Sequence, residues 1–111
     1  MEIRENEKVC IITPLNSKLN EYKLSRLIEK INNESRHVAI DLNYMSECSI
    51  DFIKSLKDLA SKKRIGIFNI PADIFVLFNV MNVDKFVDLY VSELDFKESK
   101  RQIINRKFSL I

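Results

Sequence analysis

Short apolar runs rich in β-branched residues alternate with segments of helical periodicity along this chain, and this alternation limits its fold. The runs that suit buried strands are residues 9–13, 38–42, 65–70 and 87–91. The segments between them carry apolar residues at helical spacing, most clearly at Leu24, Leu27, Ile28 and Ile31. Strands alternating with amphipathic helices require crossover connections onto one sheet. The sequence therefore predicts an α/β fold.

Local signals place the ends of the predicted elements. Asn20 and Ser49 are good N-caps for the first and second helices, and residues 71–73 open a third. Asn82 suits the left-handed conformation that ends a helix. Ser92 begins a sequence resembling a capping box. A short polar strand at residues 2–4 precedes the first apolar run, so the predicted order is ββαβαβαβα, a mixed sheet of about five strands with about four helices.

The terminal helix is predicted to carry Phe96, Ile103 and Ile104 on its inner face. With 111 residues, the chain can build one core, and we expect a single domain over residues 1–111. A formal charge of +2 is too small to attract a phosphate backbone, so we expect no nucleic-acid partner. The longest apolar run, residues 74–78, is too short for a membrane span, and we expect no membrane insertion.

Residues suited to catalysis or cofactor binding are few. Gly66 is the single glycine, where average usage would give roughly eight, so glycine-rich phosphate-binding loops are absent. His37 has no nucleophile near it in sequence, and we interpret it as an ordinary strand-end residue. Cys10 and Cys48 lack zinc-site spacing and predict reduced thiols in a cytoplasmic protein. Asp41 suits a hydrogen-bond acceptor that orders a loop. We expect no enzyme activity, no metal and no cofactor.

Residues 41–56 carry the most informative pattern. An apolar strand ends in Asp41-Leu42, a loop of residues 43–48 follows, and Ser49-Ile50-Asp51 opens a helix. This stretch resembles the STAS family, which comprises anti-sigma factor antagonists and the cytoplasmic tails of sulfate transporters. The family pattern is a strand ending in Asp/Asn-Leu, a six-residue loop and Asp-Ser-Ser-Gly-Leu-Gly at a helix start. The strand, spacing and helix match without a gap.

The resemblance continues along nearly the whole chain. Residues 17–20 are similar to the family's Gly-x-Leu-Asp before the first helix, and residues 67–71 to the strand and turn before the third. Residues 81–86 are similar to its Thr-Gly-Leu-x-x-Leu turn. The resemblance implies a single STAS-like domain, a non-enzymatic regulatory module that binds a protein partner.

In phosphorylatable members of the family, the first serine of Asp-Ser-Ser-Gly receives a phosphate from a partner kinase. At a helix N-terminus the phosphate meets free N–H groups, while its bulk and charge block docking. The ungapped match places Ser49 at the family's Asp and Ile50 at the phosphoacceptor, so phosphorylation at this position is lost. A one-residue slip would instead make Ser49 the phosphoacceptor. We favour the ungapped match, with Ser49 as the helix cap.

The ungapped match leads to a hypothesis about charge. Asp51, with Glu47 beside it, would place a fixed negative charge where the phosphate acts, in a permanently phosphate-like site; the alternative is that Asp51 only stabilises the helix dipole. On the third helix, Phe75, Val76 and Val80 lie outside the predicted core face and suit a docking surface. Alternatively, residues 108–111 cover them, and both hold if this tail forms a homodimer contact. The predicted partner-binding residues are Asn20, Glu47, Ser49, Ile50, Asp51, Lys54 and Phe75.

Two functions remain open. The first is a cytoplasmic bacterial anti-sigma factor antagonist that docks a kinase-like anti-sigma factor in partner switching and so regulates transcription. The second is a STAS accessory subunit of a membrane transporter of the lipid-trafficking ABC type. The missing phosphoacceptor favours the second, whereas nothing in the sequence identifies an ATPase partner.

Overall fold

The computed structural model describes residues 1–102 of the chain. The predictions for Ile103, Ile104 and residues 108–111 therefore lie outside the described residues. Within them, the predicted order of elements is confirmed. The strands are β1 (Glu2–Glu5), β2 (Val9–Thr13), β3 (His37–Asp41), β4 (Ile65–Phe68) and β5 (Asp88–Leu89). The helices are α1 (Glu21–Asn32), α2 (Ile50–Ala60), α3 (Ala72–Val80) and α4 (Glu93–Lys97), with a 3₁₀ turn at Val83–Lys85.

The five strands form one mixed sheet in the order β1-β2-β3-β4-β5. β1 is antiparallel to β2, and all the later neighbours are parallel. Each parallel pair is joined by a helix, which is the connection that parallel strands require. Within residues 1–102, the predicted α/β architecture with a mixed five-stranded sheet and four helices is therefore confirmed.

The larger part of the core lies between the sheet and helices α1, α2 and α3. Side chains at alternate strand positions point to this face because the side-chain period of a strand is two. The strand residues of this layer include Cys10, Ile12, Val38, Ile40, Ile65 and Ile67. Leu27 and Ile31 of α1 and Leu56 of α2 meet them at the predicted helical spacing. Burial of these side chains is the main stabilising term of the fold.

The opposite face of the sheet has a smaller aromatic cluster built around Phe96 of α4. The Phe96 ring centroid lies 5.8 Å from that of Phe68 and 5.3 Å from that of Tyr90. Gly66 lies directly beneath it, and a Cβ there would come within 3.1 Å of both Phe96 and Tyr90. The single glycine of the chain is thus explained by close packing of aromatic rings on β4.

Three predicted elements end earlier than expected, and β3 lies one residue before the predicted 38–42. β4 ends at Phe68 because Asn69 adopts a left-handed backbone with φ 54°, which interrupts strand pairing. β5 is only Asp88–Leu89, shorter than the predicted 87–91. α4 ends at Lys97, since Ser99 is left-handed at φ 58° and the Lys100 N–H donates to the Asp95 carbonyl oxygen at 2.8 Å. The predicted left-handed conformation at Asn82 is observed, with φ 56°.

His37, at the start of β3, is half-buried against Phe96, with ring centroids 5.2 Å apart. Its Nε2 atom is buried and has no hydrogen-bond partner among the described residues. Burial lowers the pKa of His37, the charge of Arg64 lowers it further, and that of Asp88 opposes the shift. The neutral imidazole is therefore the form that the folded chain favours.

This shift predicts how stability depends on pH. The unfolded chain takes up the His37 proton near pH 6.5, above the pKa in the folded state. We therefore expect the free energy of unfolding to fall as pH drops through this value, and the His37 contribution to level off below the folded-state pKa. Urea unfolding at several values between about pH 7 and pH 5 measures this fall in the free energy of unfolding. The range lies above the usual pKa values of Asp and Glu. If the free energy of unfolding of a His37→Gln variant fell equally steeply with pH, the pH dependence could not be assigned to His37.

Candidate functional site

The loops after β2, β3 and β4 meet at one end of the sheet, because these strands run parallel. The carboxyl ends of strands in open parallel sheets are the usual place for binding sites. The Leu42 N–H donates to the Phe68 carbonyl oxygen at 3.1 Å, which carries the β3–β4 pairing into this end. The loop of residues 43–48 and the starts of α2 and α3 therefore lie at the same edge.

Contacts from the loop after β2 hold the loop of residues 43–48 in place. The carbonyl oxygen of Ser17 accepts hydrogen bonds from the Ser46 N–H at 2.9 Å and the Glu47 N–H at 3.1 Å. Lys18 Nζ lies 3.8 Å from the Glu47 carboxylate in an exposed ion pair. Met45 is buried in the core and anchors the middle of the loop. The loop is thus held by its contacts with Ser17 and Lys18 and by the burial of Met45 in the core.

Ser49 caps α2 as predicted. Its Oγ accepts a hydrogen bond from the Phe52 N–H at 3.1 Å, and Ile50 is the first helical residue. Phe52 is buried, while the Ile50 side chain is 44% exposed. Asp51 is exposed in the first turn, where a carboxylate interacts favourably with the helix dipole. The helix start therefore presents an apolar side chain and a negative charge to solvent.

A pocket of about 410 Å³ lies between this helix start and α3. Its lining comprises Lys18, Ser46, Glu47, Cys48, Ser49, Asp73, Ile74 and Leu77. Burial raises the pKa of the Cys48 thiol to about 12, so the thiol stays protonated and is a poor nucleophile. The polar groups here suit docking of another molecule better than covalent chemistry.

Helix α3 extends this surface with exposed apolar side chains. Val76 and Val80 lie three and seven residues after Asp73, which places them one and two turns further along the same side of the helix. They are 61% and 71% exposed. Phe75, predicted on an exposed flank, is half-buried and packs against the core. We call the pocket lining together with Ile50, Asp51, Val76 and Val80 the α2–α3 surface.

Asp41 has the loop-ordering role that its position suggests. Its Oδ1 accepts hydrogen bonds from the Asn43 N–H at 3.0 Å and from Asn69 Nδ2 at 3.2 Å. Arg4 lies 3.7 Å from its other oxygen. The carboxylate thus joins the loops after β3 and β4.

The structure brings together several of the predicted partner-binding residues. Glu47 and Ser49 line the pocket, and Ile50 and Asp51 follow them on α2. Lys54 is exposed one turn further along α2, and Asn20 caps α1 by accepting from the Lys23 N–H at 2.8 Å. Lys18 and Asp73 line the pocket but were not among the named partner-binding residues, although the predicted docking segment of residues 71–78 includes Asp73. The rule that parallel strands place their following loops side by side was the signal that could have found Asp73.

Three potential metal ligands, Glu5, Cys10 and Glu34, have donor atoms within 4.8 Å of one another on the helix-bearing face of the sheet, near the start of β3. Arg36 already neutralises this cluster, with its guanidinium nitrogens 2.6 Å from Glu34 and 2.7 Å from Glu5. These hydrogen bonds lower the pKa of Glu34 to about 2. Burial raises the pKa of Cys10. The cluster is an ion-pair network with a protonated thiol beneath it.

No helix within residues 1–102 has the length and apolar character needed to cross a membrane.

Comparisons with known proteins find similarity at the level of structure. No protein-family profile matches the sequence, and no curated protein matches it. The structure is similar to that of an anti-sigma-factor antagonist (STAS) domain protein from Planctomyces limnophilus, with a TM-score of 0.72 and 15% identity over 89% of this chain and 96% of that one. It is also similar to the NMR structure of the protein TM1081, with a TM-score of 0.68 and 14% identity over 90% and 88% of the two chains.

Proposed function

This chain has the STAS fold, and we propose that it is a non-enzymatic module whose α2–α3 surface docks a protein partner. The observation that carries the proposal is the combination of exposed apolar and charged side chains at the carboxyl ends of the strands. Ile50 and Val76 are exposed to 44% and 61% beside a pocket lined by Glu47 and Asp73. Apolar side chains within a polar rim are typical of protein-binding surfaces.

The partner that best fits the STAS fold is a kinase-like anti-sigma factor. The protein would then be a cytoplasmic bacterial antagonist that releases a sigma factor by competing for this partner. The similar structure from Planctomyces limnophilus is that of an anti-sigma-factor antagonist domain protein, which supports this assignment over others. Docking buries the start of α2 and the neighbouring side of α3, with Asn20, Lys54 and Phe75 at the margins.

We further propose that the switch is fixed in one state in this chain. Ile50 occupies the first helical position, where the ungapped match places the phosphoacceptor, and its side chain has no hydroxyl group. Asp51, exposed in the same turn, supplies a permanent negative charge instead. Ser49 has a structural role as the cap, since its Oγ accepts from the Phe52 N–H.

Removing the charge of Asp51 tests this idea. We expect Asp51→Asn to change the partner dissociation constant more than tenfold, because the carboxylate in the first turn of α2 faces the docked partner. A tenfold change corresponds to about 1.4 kcal/mol of binding free energy. Isothermal titration calorimetry with the purified partner measures it. Asp58→Asn, near the opposite end of α2, is the control and should leave the constant unchanged. Equal constants for Asp51→Asn and the unaltered protein would refute the fixed-charge idea.

Affinity capture from the native cell followed by mass spectrometry tests the proposed function. Recovery of a histidine-kinase-like ATPase together with a sigma factor supports the antagonist. Recovery of a membrane ABC ATPase would instead support a transporter accessory subunit, the function favoured by the absence of a hydroxyl group at Ile50. Intact-mass measurement after incubation with ATP and the captured kinase tests the switch. Addition of one phosphate at Ser49 would contradict the fixed state.

A further inference from the structure

The strand β1 forms one edge of the sheet, and within residues 1–102 no strand pairs with its outer side. The other edge differs, because the Gln102 N–H donates to the Leu89 carbonyl oxygen of β5 at 2.6 Å. All four residues of β1 are exposed. An open edge strand presents unpaired N–H and C=O groups that can bind another strand.

The hairpin between β1 and β2 determines which backbone groups of β1 face outward. The Asn6 N–H donates to the Val9 carbonyl oxygen at 3.0 Å, so Asn6 is a hydrogen-bonded position facing β2. Hydrogen-bonded and non-hydrogen-bonded positions alternate along an antiparallel pair. Glu2 and Arg4 therefore bond to β2, while Ile3 and Glu5 direct their N–H and C=O groups away from the sheet.

Side chains next to this edge include exposed apolar groups. Ile3 pairs with Ile12 and so lies on the face of the sheet that carries the helices. A groove of about 360 Å³ separates β1 from α1, with Ile3, Leu19 and Tyr22 in its lining. Ile3 is 40% exposed and Tyr22 is 66% exposed at its rim. Two copies of this edge brought together would cover both isoleucine side chains.

From this arrangement we propose that β1 pairs antiparallel with β1 of a second copy about a two-fold axis at Ile3, joining two five-stranded sheets. An antiparallel pair needs matching hydrogen-bond positions, so the axis must pass through a residue of the strand. Centring it on Glu2, Arg4 or Glu5 would place that charged side chain opposite itself. Only Ile3 avoids this, and it sets Glu2 of each copy opposite Arg4 of the other.

The charges already present on β1 are compatible with this register. Arg4 binds Glu93 of α4 through both terminal nitrogens, at 3.0 and 2.6 Å, which fixes the guanidinium in place. Its Nε lies 3.8 Å from Glu2 of the same chain. In the dimer, Glu2 of the second copy approaches Arg4 from the side where Glu2 of the same chain lies. Each Arg4 then lies among three acidic side chains of its own chain, Glu2, Asp41 and Glu93, and one from the other.

Sedimentation equilibrium over a wide range of protein concentration tests the dimer. We expect a monomer–dimer equilibrium whose dissociation constant rises about tenfold or more in Glu2→Arg, because the introduced guanidinium then lies opposite Arg4 of the other copy. Arg4→Glu should weaken the dimer in the same way. An equal mixture of the two variants should restore association, since each heterodimer regains two opposite-charge pairs. Glu7→Arg, in the hairpin turn beyond β1, is the control and should leave the constant unchanged.

Amide exchange gives a second readout that does not depend on the folding of the Arg4→Glu variant. The Ile3 N–H should become protected as protein concentration rises, whereas the Arg4 N–H, bonded to β2, should be protected at every concentration. A monomer at all concentrations, a dimer insensitive to Glu2→Arg, a mixture that does not associate, or an Ile3 amide that exchanges equally fast throughout would each overturn the proposal.

Discussion

Replacing Phe96 by alanine is expected to lower the free energy of unfolding by about 3 kcal/mol, in the range found for deletion of buried phenylalanine side chains. Phe96 is 5% exposed and is the only buried residue of α4. Its ring contacts Phe68, Tyr90 and His37. Removal of the Phe96 ring would leave a cavity over β4, because Gly66 beneath the ring has no side chain to fill the space.

Urea denaturation monitored by circular dichroism measures this loss. Leu94→Ala is the matched control, since Leu94 lies on the same helix but is 62% exposed, and it should change stability by less than about 0.5 kcal/mol. Phe96→Ala should also flatten the pH dependence assigned to His37, because the exposed imidazole then regains an ordinary pKa. Equal stability of the two variants would show that α4 does not stabilise the sheet.

Side-chain signals that act over a few residues predicted much of the fold. Asn20 and Ser49 cap their helices as expected, because each side chain satisfies an N–H group only three residues away. Strand and helix periodicity likewise predicted the core of Ile12, Ile40 and Leu56. These features depend on local chemistry, which a single sequence displays directly.

The features that were missed depend on backbone conformation or on distant contacts. Asn69 and Ser99 adopt left-handed conformations that residue type alone does not require, and each ends an element earlier than expected. The Ser17 carbonyl oxygen fixes the loop of residues 43–48, although nothing in a serine side chain signals this contact. The candidate site was therefore predicted along α2 and at Val76 and Val80 of α3, where the signal is local. Lys18 and Asp73 were not named, because their place in the pocket depends on topology.

The α2–α3 surface predicts the largest effect on partner binding. Val76→Glu should weaken the partner complex about thirtyfold, since truncation or disruption at a binding hot spot costs about 2 kcal/mol or more. Val76 is 61% exposed on the side of α3 that also carries Asp73 and Val80. A carboxylate at this point would have to lose its hydration on docking and would add to the negative charge of Asp73.

The chain supplies a closely matched control for this substitution. Val91 is also 61% exposed, but it follows β5, outside the α2–α3 surface. Val91→Glu therefore introduces the same charge at the same exposure and should leave the dissociation constant within about twofold, because surface substitutions away from a site usually change energies by less than about 0.5 kcal/mol. Titration calorimetry with the captured partner compares the two. The two variants match in charge and exposure and differ in position. A larger loss in Val91→Glu than in Val76→Glu would therefore move the docking surface to the segment that follows β5.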